Sequence, residues 1–174
     1  LVQFLADGEP PILFSFGSMM FGHDGATLTA TINHALQQTH QRGLIFRGWG
    51  DIGQTCESGS IVAIDSVPHD WLVPQVSMVV HHGGAGITAT TLRYGVPAIV
   101  VPFFGDQLLW ARRVCELGAG VILQPSQFNL ANLAHAISMI RTNSTFQHRA
   151  SAIGAQLRAE HGVQNAIKRI QQLL

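Results

Sequence analysis

Two histidines and three glycines stand together near the middle of the chain, in the segment HHGGAGIT at residues 81–88. An apolar run precedes this segment and a helical pattern follows it, so the glycines are predicted to form a turn between a strand and a helix. Glycines allow a ligand to approach the backbone closely, and the free N–H groups and dipole of a helix N-terminus attract anions. His82 adds a hydrogen-bond donor and Thr88 adds a hydroxyl. The segment therefore predicts a binding site for a phosphate or diphosphate.

Two other interpretations of this segment remain open. In the first interpretation, the glycines do no more than permit tight packing of the strand against the helix. In the second, residues 84–89 match the pattern GxGxxA, and Asp106 lies twenty residues beyond Gly86, which is typical of a dinucleotide site in dehydrogenases. That fingerprint normally opens the first strand–helix–strand unit, whereas three predicted strands precede it here. An NAD-dependent oxidoreductase domain is therefore the less favoured alternative.

The elements that must position these residues alternate between short apolar runs and helical patterns. Six runs, rich in Val, Ile and Phe and without polar alternation, predict the strands of a buried parallel sheet at 12–16, 44–47, 60–64, 78–81, 98–101 and 120–123. Helices are predicted at 25–41, 87–94, 107–117, 130–141, 145–160 and 163–174. This order indicates an α/β fold, a doubly wound parallel sheet with right-handed crossovers.

Ligands of such sheets bind in the crevice outside the carboxyl ends of the strands. Glycines and polar residues follow the predicted strands at that edge, in the segments 17–18, 48–51, 65–69, 81–86 and 103–107. Ser18 supplies a further hydroxyl donor for the predicted phosphate site. This clustering on one edge is the main evidence from the residues for a binding site.

Composition limits the class of protein. The chain has 174 residues, of which 47% are hydrophobic and 11% are charged, with ten basic and ten acidic side chains. That length predicts one domain, and the zero net charge argues against a nucleic-acid partner, which needs a basic surface. The two cysteines are too few for a disulfide framework and favour a reducing compartment. No apolar stretch approaches the ~18 residues of a membrane helix. The first residue is Leu1 and not an initiator Met, so we expect the chain to be part of a larger protein.

Nine histidines raise the question of a metal site. They are scattered along the chain, and His81 and His82 are adjacent on a predicted strand, so their side chains face opposite sides of the sheet. We therefore expect no metal ion and no cofactor. His81 is interpreted as a packed strand residue, and Trp71 and Trp110 are interpreted as core or helix-face residues.

Several spaced motifs resemble the donor-binding domain of family 1 glycosyltransferases. The segment HHGGAGIT, followed by GVP at 95–97 and DQ at 106–107, is similar to the donor-binding signature of that family. Four segments resemble the branch of sterol and antibiotic glucosyltransferases: ILFSFGS at 12–18, RGW at 47–49, PHDWL at 68–72 and PFFGDQ at 102–107. The resemblance covers nearly the whole chain, from about Pro10 to GVQNA at 162–166.

The resemblance implies a GT-B enzyme of two Rossmann-like halves with the active site between them. Residues 1–174 would form the C-terminal, donor-binding half, and the N-terminal acceptor domain would be absent from the chain. By the resemblance, the diphosphate would contact Ser18, His82, Gly83, Gly84, Gly86 and Thr88. The base and ribose would contact Trp49, Ser66, Val67 and His69, and the sugar hydroxyls would contact Asp106 and Gln107.

Two residues of the plant branch of that family are missing here. A tryptophan that stacks on uracil would stand near Ser66, and a glutamate that binds the ribose would stand near Thr90. Trp49 offers a substitute stacking surface, although a tryptophan just after a strand equally often packs between domains or in the core. The sterol and antibiotic branch shares both losses, so they favour that branch.

The resemblance further implies transfer of a hexose, with inversion, from UDP-glucose to a lipophilic alcohol such as a sterol. The catalytic histidine and its supporting aspartate would lie in the N-terminal half, so the chain alone is expected to bind the donor and to transfer little or nothing. The full-length protein is expected to be cytoplasmic and peripheral to a membrane. A separate donor-binding subunit of a split N-acetylglucosaminyltransferase is the alternative within the glycosyltransferases.

Overall fold

The computed structural model describes residues 1–17, 24–47, 52–53 and 59–173. The strands are β1 (Ile12–Ser15), β2 (Gly43–Phe46), β3 (Ile61–Ile64), β4 (Met78–His81), β5 (Ala98–Val100) and β6 (Gly120–Ile122). The helices are α1 (Val2–Ala6), α2 (Gly25–Gln38), α3 (His69–Leu72), α4 (Ala85–Arg93), α5 (Gln107–Glu116), α6 (Leu130–Thr142), α7 (Ser144–Ala159) and α8 (Gly162–Gln171). Short 3-10 turns at Val73–Gln75 and Pro125–Gln127 precede β4 and α6.

The strands form one parallel sheet in the order β3-β2-β1-β4-β5-β6. The strand order reverses between β1 and β4, which is where doubly wound sheets bind ligands. Ser15 of β1 lies beside His81 of β4, and His81 lies beside Val100 of β5. These three strands therefore end at one level. The predicted fold class, a Rossmann-like doubly wound α/β sheet, is confirmed.

Helices cover both faces of the sheet. Successive side chains of a strand point to opposite faces, so Phe14 packs in an apolar cluster with side chains of α2 and α6, whereas Leu13 packs on the other face beside Leu72. A third cluster on that second face joins β5 to α5 and α7. Because both faces are buried, the strands are apolar throughout, and this explains the continuous apolar runs of the sequence.

The observed elements differ from the predicted ones mainly at their ends. Helix α4 begins at Ala85, two residues before its predicted start, because Gly84 serves as its N-cap and Gly86 lies inside its first turn. The sequence did not predict α1 or α3, which have five and four residues and are too short to display a helical period. The predicted strands all exist: β4 has the predicted bounds, and the ends of the other strands differ from the predicted ones by at most one residue.

Helix α8 leaves its apolar side chains uncovered. Val163, Ile167 and Ile170 are exposed and recur along one side of this helix, none of whose residues is buried. Within the described ranges, no helix combines the length and the apolar character that crossing a membrane requires.

Candidate functional site

Glycine shapes the turn that follows β4. Gly83 has a φ of +87°, and a Cβ at this position would lie 2.9 Å from the carbonyl oxygen of Gln107 and 2.9 Å from Cγ1 of Val100. The N–H of Gly83 donates to Nδ1 of His81 at 3.0 Å. Only glycine accommodates both the left-handed backbone and the close approach. The turn is therefore pressed against the first residue of α5.

Helix α4 presents an open N-terminus at the carboxyl edge of the sheet. Its N-cap, Gly84, has no side chain, and no side chain of the described residues caps the helix. The N–H and the hydroxyl of Thr88 both donate to the carbonyl oxygen of Gly84, at 3.0 and 2.8 Å. The N–H groups of residues 85–87 precede the first bonded turn and have no partner within the helix. A Cβ at Gly86 would meet no described atom within 4 Å, so the space beside this first turn is open as far as the described residues go, and an anion would suit such a helix end.

His82 lies between this turn and the end of β1. Its Nδ1 is 3.5 Å from the carbonyl oxygen of Ser15. A Cβ on Gly17 would be 3.3 Å from Cε1 of the ring, and a Cβ on Gly84 would be 2.5 Å from Nε2. The half-buried imidazole thus fills space left by two glycines and places Nε2 at the N-cap of α4. Burial lowers the pKa of His82, while the Ser15 carbonyl and the Asp106 carboxylate act in the opposite direction.

The loop between β5 and α5 is fastened by Gln107. This side chain is 4% exposed, and its Oε1 accepts the N–H groups of Phe103 at 2.7 Å and Phe104 at 3.3 Å. The amide is therefore oriented with its oxygen towards the loop and its nitrogen free of described partners. Asp106 is exposed, and its Oδ2 accepts the indole N–H of Trp110 at 2.9 Å. The backbone of Gln107 abuts the Gly83 turn, so this loop and the β4 turn are adjacent.

The residues predicted to hold a base and ribose are differently placed. Ser66 is exposed, and Val67 packs against an apolar cluster. His69 is half-buried: its ring stacks on Phe46, with centroids 5.1 Å apart, and its Nε2 is 3.4 Å from Oγ of Ser15. Burial lowers the pKa of His69. The ring thus lies against the sheet, and its contact with a base or ribose stays a prediction.

Three further predicted site residues either lie outside the described residues or make a different contact in the structure. Ser18 and Trp49 lie outside the residues that the structure describes. Thr88 is 1% exposed and its hydroxyl proton is directed at Gly84. In this structure Thr88 closes the first turn of α4, so a direct contact with a diphosphate stays a prediction.

His81 has a local role that sequence reasoning missed. The side chain is fully buried, its Nδ1 accepts the Gly83 N–H, and its Nε2 has no hydrogen-bond partner among the residues that the structure describes. Burial, and then the neighbouring His82, lower the pKa of His81 to about 3. The ring is therefore neutral at ordinary pH, which keeps Nδ1 available as the acceptor that fixes the turn. Trp110 was also missed, although its spacing of four residues from Asp106 is that of helical neighbours.

A cavity of about 200 Å³ lies on the side of the sheet that α2 and α6 cover, and its described lining contains none of the predicted site residues. It is lined by Phe16, Asp24, Thr27, Leu28, Thr31, Val101, Phe103, Pro125 and Phe128. Among the described residues, no group of three or more His, Cys, Asp or Glu side chains has a geometry suited to a metal ion.

Comparison with protein families identifies a match over most of the chain. Residues 55–173 match the model of the erythromycin biosynthesis protein CIII-like, C-terminal domain. A sterol 3-beta-glucosyltransferase of Pichia angusta is 39% identical over 170 residues, which cover 94% of this chain and 14% of that protein. The sterol 3-beta-glucosyltransferase UGT80A2 of Arabidopsis thaliana is 41% identical over 170 residues, 97% of this chain and 26% of its own length. The chain thus spans 14% of the length of the first relative and 26% of the length of the second.

Solved structures of antibiotic glycosyltransferases share the fold. CalG4, the calicheamicin glycosyltransferase, superposes with a TM-score of 0.82 at 22% identity, covering 94% of this chain and 43% of its own. Glycosyltransferase VinC, solved in complex with dTDP, superposes with a TM-score of 0.76 at 22% identity, covering 97% and 44%.

The buried His81 predicts a pH-dependent stability. Its pKa of about 3 in the folded chain lies below the ordinary value of 6.5, so the unfolded chain binds more protons between those two values. The contribution of His81 to the free energy of unfolding is therefore greatest above pH 6.5 and decreases as the pH falls towards 3. The slope of this decrease approaches the value for about one proton bound on unfolding. Denaturant titrations at several pH values would measure this slope.

A matched variant isolates this contribution, because lowered pKa values of His69 and His82 act in the same direction. His81→Asn keeps an acceptor near the Gly83 N–H but does not titrate, so the slope should become shallower. An unchanged slope in this variant would assign the pH dependence to other groups.

Proposed function

The chain belongs to the erythromycin biosynthesis protein CIII-like C-terminal domains of family 1 glycosyltransferases, and we propose that it binds the UDP-sugar donor, UDP-glucose above all. The observation that carries the proposal is the open N-terminus of α4 with the imidazole of His82 beside it. Unpaired N–H groups and the positive end of the helix dipole stabilise a diphosphate at such a position. Relatives named as sterol glucosyltransferases support glucose as the sugar.

His82 is proposed to donate a hydrogen bond to the diphosphate. Burial favours the neutral ring, but an incoming polyanion favours the protonated ring in the way that any opposite charge nearby does. The Ser15 carbonyl then accepts from Nδ1–H, at a separation of 3.5 Å, while Nε2–H is directed at the ligand. Charge-assisted bonds of this kind are roughly twice as strong as neutral ones.

Asp106 and Gln107 are proposed to bind the sugar hydroxyls. The Oε1 of Gln107 is occupied by the N–H groups of Phe103 and Phe104, which leaves its amide nitrogen as a donor. Asp106 contributes an acceptor, because only one of its carboxylate oxygens has a described partner. A donor and an acceptor side by side suit the adjacent hydroxyls of a hexose.

The base and ribose are proposed to lie beyond the ends of β2 and β3. Ser66 is exposed there, and the stacked rings of Phe46 and His69 form one wall. Trp49 is proposed to belong to the same region. A solved relative of this fold binds dTDP, so thymine is the natural competitor of uracil in any test.

The reaction of the whole protein is proposed to be an inverting transfer to a lipophilic alcohol such as a sterol. The acceptor oxygen forms a bond to the anomeric carbon as the bond from that carbon to the phosphate oxygen breaks, and UDP leaves with the electron pair. The α4 N–H groups and His82 stabilise the charge that develops on UDP. The base that removes the acceptor proton is proposed to lie on the N-terminal acceptor domain.

Ligand ranking tests the proposal. Isothermal titration calorimetry of the chain with UDP, UDP-glucose, UDP-N-acetylglucosamine, dTDP and NAD should give the tightest binding for UDP-glucose, with weaker binding of dTDP and none of NAD. At ~100 times its Kd, a ligand raises the stability by about 2.7 kcal/mol, which thermal unfolding would confirm. The chain alone should not glucosylate a sterol.

Other rankings would point elsewhere. Binding of NAD in preference to every uridine nucleotide would favour the oxidoreductase alternative and contradict the proposal. Preference for UDP-N-acetylglucosamine would favour the donor-binding subunit of a split enzyme. Glucosyl transfer by the chain alone would contradict the assignment of the base to another domain.

Substitution of His82 tests the diphosphate contact. His82→Ala removes a donor to a charged group, so UDP affinity should fall by about 1.5–3 kcal/mol, roughly ten- to a hundredfold in Kd. His148 is exposed on α7, next to Gln147, which binds the carbonyl of Gly95 beyond the far end of α4. His148→Ala is therefore the matched control and should bind UDP normally. Equal affinities of the two variants would remove His82 from the site.

Substitution of Gly86 tests how closely the ligand approaches α4. A Cβ at this position enters open space in the free chain, and alanine favours a helix over glycine, so Gly86→Ala should fold at least as stably. Bound UDP should lose affinity, because the methyl group occupies the approach to the N–H groups. Gly162→Ala, in the first turn of α8 and equally open, should change neither property adversely. Normal UDP binding by Gly86→Ala would place the diphosphate elsewhere.

A further inference from the structure

We propose that Trp110 is a positioning residue, which holds the carboxylate of Asp106 in the orientation that receives the donor sugar. The inference rests on the proposed binding of the sugar by Asp106. Trp110 lies one helical turn after Asp106, and its indole Nε1–H donates to Oδ2 at 2.9 Å. Tryptophan has a single donor and no acceptor, so this bond commits one carboxylate oxygen and leaves the other available.

The side chain of Asp106 does not cap the helix that it precedes, because its own backbone is already helical (φ −73°, ψ −10°). An aspartate or asparagine at a helix N-cap normally accepts the N–H groups of the first turn. Asp24 does so on α2, Asn129 on α6 and Asn143 on α7. Asp106 stands at the N-cap of α5 and makes no such bond. Its carboxylate is thus not used to cap the helix, and among the described residues the indole of Trp110 is the group that holds it.

The surroundings of Asp106 indicate what its second oxygen faces. The next residue, Gln107, is fixed through the loop N–H groups, and its backbone carbonyl abuts the Gly83 turn. Oδ1 of Asp106 has no described partner, and the residue is exposed. A free acceptor, beside a fixed amide donor and next to the open end of α4, has the chemistry of a sugar hydroxyl contact.

Orientation before binding is the expected benefit of this bond. An exposed aspartate with no partner samples several rotamers, and binding must then immobilise it at a cost in side-chain entropy. The indole N–H restrains the carboxylate in the free chain, so the sugar meets an acceptor that is already in place. Removal of the indole donor should therefore weaken only ligands that carry a sugar.

Two substitutions separate the donor from the ring. Trp110→Phe keeps an aromatic ring and removes the N–H, whereas Trp110→Gln removes the ring and keeps a donor four residues after Asp106, a spacing at which glutamine and aspartate pair on helices. Calorimetry with UDP and UDP-glucose would give the affinity ratio for each variant. Trp110→Phe should lose roughly three- to tenfold in UDP-glucose affinity at unchanged UDP affinity, and Trp110→Gln should retain most of the ratio.

A double-mutant cycle with Asp106→Ala identifies the route of the effect. In the Asp106→Ala background, Trp110→Phe should have no further effect on UDP-glucose. A ratio unchanged by Trp110→Phe, while Asp106→Ala lowers it, would overturn the role of Trp110 and leave the sugar site intact. Equal weakening of UDP and UDP-glucose by Trp110→Phe would also overturn it, because the indole would then support the fold. A ratio unaffected by Asp106→Ala would overturn the sugar assignment and the inference together.

Discussion

The register of β4 with its neighbours places Ser15, His81 and Val100 side by side at the carboxyl end of the sheet. Because the three strands end together, the chain leaves them as three adjacent loops, and these loops hold the candidate site. A shift of one residue in β4 would exchange His81 and His82 between the two faces of the sheet. The buried ring that fixes Gly83 and the ring at the helix terminus would then both be lost. The site thus depends on backbone pairing before it depends on any side chain.

Within that register, close approach limits what the turn can contain. Gly83 abuts the backbone of Gln107, and the ring of His82 occupies the space beside Gly17 and Gly84. The described segments that follow the three strands are consequently in contact through the Gly83 backbone and through the half-buried ring of His82. The buried ring of His81 also fixes the turn, because its Nδ1 accepts the Gly83 N–H and the ring stays neutral at ordinary pH.

The fold could be predicted from the sequence because buried strands produce a clear pattern of apolar residues. Runs that are apolar on both faces locate the strands of a parallel sheet whatever the details of packing, whereas α3 has four residues and carries no such signal. For the site, glycine and histidine types placed the turn after β4. The bonds from Gly83 to His81 and from Trp110 to Asp106 depend on backbone angles and side-chain rotamers. Residue types alone do not specify these angles and rotamers, so neither role could be predicted from the sequence.

The neutrality of the chain is consistent with an anion site built from dipoles. Among the described residues near the strand ends, Arg47 is paired with Asp65 at 3.1 Å, and Arg93 lies in the last turn of α4, away from its open end. The positive potential before α4 is therefore attributed to the peptide N–H groups of its first turn, and in the proposed function His82 adds to it once a bound polyanion favours the protonated ring. Such groups are held by the fold and do not reorganise when charge develops, unlike a lysine on a flexible stem. In the proposed reaction the charge on the leaving UDP grows as its bond breaks, and a fixed array of N–H donors stabilises that growth more effectively than it stabilises the donor at rest.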